Sequence, residues 1–101
     1  MIEVLYGLEV IDDDTYAAYR AAMTPLLEAH GGRFVVDVRV AEVLRSPDSA
    51  RFNRLFTIRF PSPERMDAFF SNAEYLAVRA RLFEPSVAAI RKLGDYEVRS
   101  H

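Results

Sequence analysis

The chain has 101 residues, 13 basic and 15 acidic side chains for a net charge of −2, and is half apolar. That is the size and composition of one globular domain over residues 1–101; it excludes a disordered body, and the near-neutral charge gives no electrostatic basis for binding nucleic acid. Cysteine is absent, which excludes disulfides, thiolate metal sites and thiol nucleophiles. No apolar run approaches the roughly 18–20 residues that cross a membrane, and no basic segment leads into an apolar one as in a secretory leader, so a cytoplasmic location is expected.

Ile2 to Val10 is apolar at every even position, with Glu3, Leu5, Gly7 and Glu9 between. This period of two predicts a strand with one more strongly apolar face. Asp12-Asp13-Asp14-Thr15 supplies capping chemistry suited to the positive end of a helix dipole. Tyr16, Tyr19, Met23, Leu26, Leu27 and His30 then share one helical stripe, and Gly31-Gly32 ends the helix. Pro25 removes a hydrogen bond and crowds the Ala21 carbonyl, which predicts a kink or a break into two pieces. Residues 33–44 alternate again, with Phe34, Val36, Val38 and Val40 on one face and Val35, Asp37, Arg39, Ala41 and Val43 on the other. Turn chemistry at 45–50 leads to a third strand over 52–60, where Phe52, Phe56, Ile58 and Phe60 share a face. The short connection makes these two strands an antiparallel hairpin.

Ser62 as N-cap and Pro63 as first helical residue open a helix carrying Met66, Phe69 and Phe70. Ser71-Asn72-Ala73 interrupts it, with Ser71 or Asn72 as a cap, and a further helix over 74–83 is stopped by Pro85. Residues 86–98 fit a helix or a strand. Pro85 before them, and Val87, Ile90, Tyr96 and Val98 within them, favour a strand in which Gly94 marks a bulge or bend. The order strand, helix, strand, strand, helix, strand predicts an α+β ferredoxin-like domain, βαββαβ, with a four-stranded antiparallel sheet covered by helices on one face. The even series of the first three strands is assigned to the helix side. The other face then holds Leu5, Val35, Ala41, Val43, Leu55, Ala88 and Ile90 beside Glu9, Asp37, Arg39 and Arg59. A half-apolar open face is accounted for by a second copy packing on it, a homodimer.

Gly31-Gly32-Arg33-Phe34 after a helix, with a strand leading to Glu42-Val43-Leu44, forms one signature. Phe60-Pro61-Ser62 closing a strand, followed by Ala68-Phe69-Phe70, Glu74-Tyr75 and Arg79 or Arg81, forms a second. Together, over nearly the whole chain, they resemble domain-of-unknown-function family 1330 of the dimeric α/β-barrel superfamily. Asp37-Val38-Arg39-Val40 stands where many members carry glycines, and Asn72-Ala73 where many carry Ser-Pro, which marks a divergent member. The resemblance implies a ferredoxin-like protomer whose sheet pairs with that of a second copy into a barrel-like dimer. The superfamily includes small monooxygenases, chlorite dismutase-like haem proteins and muconolactone isomerase-like enzymes; the family itself has no agreed activity.

His30, the only internal histidine, is a candidate base or ligand; its structural reading is a helix-end residue favourable to the dipole. His101 is terminal, and two histidines so placed give no metal-ligand spacing. Asp37 and Arg39 lie two apart on one strand and Arg59 on its hairpin partner, so all three are expected on the open face, as an anion site with Asp37 a candidate base or as an ion-pair network. Tyr6, Tyr16, Tyr19 and Tyr75 could line a pocket as hydrogen-bonding aromatics; Tyr16 and Tyr19 read as core, whereas Tyr6, beside Gly7, is a third candidate for ligand binding with Arg39 and Arg59. Asp12-Asp13-Asp14 lacks the glycine and terminal glutamate of a calcium loop, and there is no phosphate loop or nucleophile elbow. No cofactor or metal is therefore expected. The sequence leaves open a dimer that binds a small organic or anionic molecule in a sheet–helix or interface cavity, a cofactor-independent enzyme of monooxygenase or isomerase type, and a structural dimer.

Overall fold

The computed structural model describes residues 1–99, so His101 lies outside the described residues. β1 (Ile2–Val10), α1 (Asp13–Ala29), β2 (Arg33–Arg39), β3 (Arg54–Phe60), α2 (Pro63–Phe70), α3 (Ala73–Val78) and β4 (Val87–Glu97) follow one another in the expected order. The strands form one antiparallel four-stranded sheet, β2-β3-β1-β4. Tyr16, Tyr19, Met23 and Leu27 of α1, with Phe69 and Tyr75, pack on Leu8, Val10, Phe56, Ile58 and Phe60 of the sheet. Among the described residues no helix is long and apolar enough to cross a membrane.

The helices begin where their caps dictate. Asp12 accepts hydrogen bonds from the Thr15 backbone at 3.1 Å and the Thr15 hydroxyl at 2.7 Å. Ser62 and Asn72 accept from the backbone of Arg65 at 3.2 Å and Tyr75 at 3.0 Å. Each satisfies an amide that the first helical turn leaves free. α1 continues through Pro25 without a break. α3 passes directly into one π turn, Arg79–Phe83, closed by the Glu84 amide donating to the Arg79 carbonyl at 3.0 Å. Such turns occur often at functional sites. The paired glycines after α1 answer two needs. Gly31 has φ +78° and Gly32 lies against the core, where an added Cβ would stand 2.4 Å from Leu27 Cδ1 and 2.8 Å from Phe60 Cε1.

Three placements differ from the alternation expected of the sequence. First, β2 ends at Arg39, and residues 40–53 form a loop with a 3₁₀ turn at Pro47–Ser49. Part of this loop folds over the sheet face opposite the helices. Phe52 packs on Gly7, where a Cβ would stand 3.0 Å from its ring, so Phe52 is not on the helix side. Arg91 Nη2 donates to Asp48 Oδ2 at 2.8 Å and the Pro47 carbonyl at 3.0 Å, while the Asn53 side chain bonds the Val10 amide and carbonyl, each at 2.9 Å. Ala41 and Val43 thus belong to a loop, not a strand. Second, Phe34 lies opposite Ile58 but Asp37 lies opposite Phe56. One extra residue on β2 is a bulge, and it shifts the alternation by one. Asp37 and Arg39 come to the helix side, and Val38 turns to the open side opposite Leu55. Third, Ile90 pairs with the buried Leu8, which puts it too on the helix side. A register shift beside Gly94 bears out a bulge there.

Replacing Gly32 with Ala is expected to cost about 2 kcal/mol, the usual range for overpacking a tight core. Urea unfolding measures this; an unchanged midpoint would mean that Leu27 and Phe60 yield freely.

Candidate functional site

Between the sheet and its helices lies a cavity of about 140 Å³. Every strand supplies part of its floor: Tyr6 from β1, Phe34 from β2, Phe56 and Ile58 from β3, and Ile90 from β4. Tyr16, Tyr19, Arg20 and Met23 of α1 form the roof with Phe70 and Tyr75, and Arg79 and Phe83 of the π turn complete it. Apolar space of roughly 150 Å³ holds one molecule the size of benzene. The lining rings meet at an angle, with Tyr6 and Phe56 centred 5.6 Å apart and Tyr19 and Phe83 5.0 Å apart.

A few polar groups converge on this apolar space. The Tyr19 and Tyr75 hydroxyls hydrogen-bond each other at 2.9 Å. Arg20 is held from three sides: its guanidinium lies 3.7 Å from the Phe34 ring centre, donates to the Tyr16 hydroxyl at 3.1 Å, and pairs with Asp37 Oδ2 at 2.7 Å. Arg79 sits 4.8 Å from the Phe83 ring centre and meets Glu84 Oε1 at 3.3 Å. The Tyr6 hydroxyl has no hydrogen bond to another described residue. Burial raises the pKa of Tyr6, Tyr16, Tyr19 and Tyr75 above the ordinary tyrosine value. All four are therefore neutral phenols at physiological pH, able to donate hydrogen bonds but not to act as phenolate bases.

Of the candidate site residues His30, Asp37, Arg39, Arg59 and Tyr6, only Tyr6 lines this cavity. Asp37 stands outside it, paired with Arg20 in a neighbouring surface groove. Arg39 lies in the same groove, 3.9 Å from Asp13, which Arg54 also holds at 3.0 Å. Arg59 is on the opposite sheet face, bonded to Glu3. The expected cluster of Asp37, Arg39 and Arg59 is thus divided by the sheet, because the bulge in β2 turns the first two toward the helices. His30 caps the end of α1; its Nδ1 lies 2.8 Å from the Leu26 carbonyl and its ring edge meets Phe69. It does not line the cavity. Tyr16 and Tyr19 are buried as expected, yet they also bound the empty space. Arg20 and Arg79 are the residues that alternation did not single out as site residues. Their signal was spacing: Tyr16 and Arg20, like Tyr75 and Arg79, are four apart and so share a helix face. Among the described residues no group of three or more His, Cys, Asp or Glu could hold a metal ion.

The open face carries a second polar group. Glu3 is 4% exposed, covered by Arg59 and Tyr96. Arg59 Nε donates to Oε1 at 2.8 Å and the Tyr96 hydroxyl donates to Oε2. Burial alone would raise the Glu3 pKa, but hydrogen bonds from Tyr96, Arg59 and Thr57 together hold it below its ordinary value of 4.5. The stabilisation is therefore complete above that value and is lost as pH falls through the lowered one. Glu3→Gln is expected to lower stability at neutral pH and to flatten its decline below pH 4.5. Urea titrations at neutral and acid pH measure both; parallel declines in the two proteins would show that Glu3 titrates normally.

No functionally curated protein shows significant sequence similarity to the chain. Among solved structures, a protein of unknown function from Rhodopseudomonas palustris is similar at 17% identity and a TM-score of 0.81, covering 99% of this chain and 83% of its own. A dabb family protein with a ferredoxin-like fold from Mesorhizobium loti is 12% identical with a TM-score of 0.69, covering 98% and 97%. A dimeric ferredoxin-like protein of unknown function from Jannaschia is 17% identical with a TM-score of 0.66, covering 96% and 98%. At such identities the likeness establishes the ferredoxin-like fold. The sequence itself matches the domain of unknown function DUF1330 over residues 4–91, and the chain belongs to that family.

Proposed function

We propose that the protein is a cytoplasmic homodimer that holds one small, mainly apolar organic molecule in the sheet–helix cavity of each protomer, without covalent chemistry. The cavity carries this reading. Protein interiors are close-packed, and this one leaves about 140 Å³ unfilled among rings from every layer of the fold. A mostly apolar space with a few converging polar groups is the usual form of a small-molecule site. Binding is favoured over catalysis because the cavity tyrosines are neutral, Asp37 is committed to Arg20, and His30 lies elsewhere.

Dimerisation is supported by the open face. Leu5 and Leu55 are only partly covered there, and Val35, Val36 and Val38 of the edge strand are each more than 40% exposed. The similar Jannaschia protein is dimeric. A second copy over this face would bury the valines and close the cover over Glu3, leaving the cavity on the far side of each sheet.

Light scattering at micromolar concentration is expected to give twice the chain mass, and the double substitution Val38→Asp with Leu55→Asp to give the monomer. A single-chain mass for the unsubstituted protein would overturn the dimer. Millimolar benzamide is expected to raise the melting temperature, and Ile90→Trp, which fills the cavity from its half-exposed edge, to abolish the rise. No response to benzamide, toluene or indole would overturn the cavity as a binding site.

A further inference from the structure

The two arginines of the cavity differ in how far the chain itself satisfies them. Arg20 already has its anion, Asp37 at 2.7 Å, together with the Tyr16 hydroxyl and the Phe34 face. Among the described residues Arg79 has no comparable anionic partner, and its other polar neighbour is the Tyr75 hydroxyl. Its contact with Glu84 is 3.3 Å long, and the Glu84 side chain is 61% exposed. A surface pair of this kind contributes little, and a guanidinium has five N–H donors in a planar fork. Arg79 also lines the cavity while its side chain is 34% exposed, so it stands at the mouth.

Resting on the binding function proposed above, we infer that the cavity selects small planar monocarboxylates: the carboxylate takes the fork of Arg79 and the ring or unsaturated body lies among the aromatic side chains. The π turn contributes by placing Arg79 at the mouth, beside the buried Phe83 ring. Tyr75, four residues before Arg79, presents a hydroxyl already bonded to Tyr19. With Tyr19 donating to Tyr75, the Tyr75 proton is available to a carboxylate oxygen beside Arg79. The volume admits one ring and little more. The largely apolar lining excludes a bare hydrated anion such as phosphate, because nothing apolar would replace its lost water. A carboxylate on a flat apolar body satisfies both ends. Glu84 then competes with the ligand for Arg79.

Benzoate and its neutral isostere benzamide test this by calorimetric titration. The unsubstituted protein is expected to bind benzoate at least tenfold more tightly. Arg79→Gln is expected to abolish that preference by weakening benzoate at least tenfold, with an unchanged urea-unfolding midpoint showing that the variant is folded. Glu84→Gln is expected to tighten benzoate several-fold and leave benzamide unchanged. Equal affinities for the two probes in the unsubstituted protein, or a preference that survives Arg79→Gln, would overturn the assignment to Arg79 while leaving the cavity a ligand site. Binding of neither probe would overturn the site itself.

Discussion

Phe69 is fully buried and meets four other rings: Tyr75 at 4.3 Å, Phe70 at 5.1 Å, His30 at 5.7 Å and Phe60 at 5.9 Å between centres. Rings cannot be compressed, and their preferred tilted contacts leave little freedom in their spacing. This cluster therefore fixes how far α2 and α3 stand from the sheet. Its outer members, Phe70 and Tyr75, bound the cavity directly. The empty space is thus a consequence of the same side chains that supply much of the core, and it cannot collapse without disturbing them.

Electrostatics divide the cavity into two unlike ends. The extra residue on β2 brings Asp37 across to the helix side, where it neutralises Arg20. The amide of Val36, at the bulge, is satisfied by the Thr57 hydroxyl at 3.0 Å, so the irregularity leaves no unmet donor at this point. Arg79, on a turn that departs from α-helical spacing, keeps donors for something outside the chain. Two local departures from regular structure, one in a strand and one at the end of a helix, give the site its polarity.

The two faces of the sheet have separate tasks. The helix side encloses the cavity. The open side carries Glu3 with Arg59 and Tyr96, beside a section of loop anchored by Phe52 on Gly7 and by Arg91 on Asp48. Glu3 is covered by Arg59 and Tyr96, and a buried carboxylate is tolerated there because its oxygens accept several hydrogen bonds. The loop shields only part of this face, so the valines of the edge strand keep their exposure.

Element order, helix caps and the one-sided sheet were legible in the sequence, because each depends on residues close together in the chain. Asp12, Ser62 and Asn72 cap their own helices, and strand alternation reports burial wherever pairing is regular. The same local character explains why the ends of β2 and β3 and the faces of Asp37, Arg39, Phe52 and Ile90 were not legible. A bulge reverses every face beyond it and is chosen by partner strands, not by its own side chains. A sheet–helix cavity was one of the places the sequence left open, but its lining was hidden for a related reason. Tyr6, Tyr16, Tyr19 and Tyr75 look individually like core or edge residues, and it takes the packing of distant segments to make their rings, with Arg20 and Arg79, surround space without filling it. Short-range pattern and composition already specify a small cysteine-free domain with one covered sheet face. Packing between segments far apart in the chain decided where its interior remains open and which charge stands at the opening.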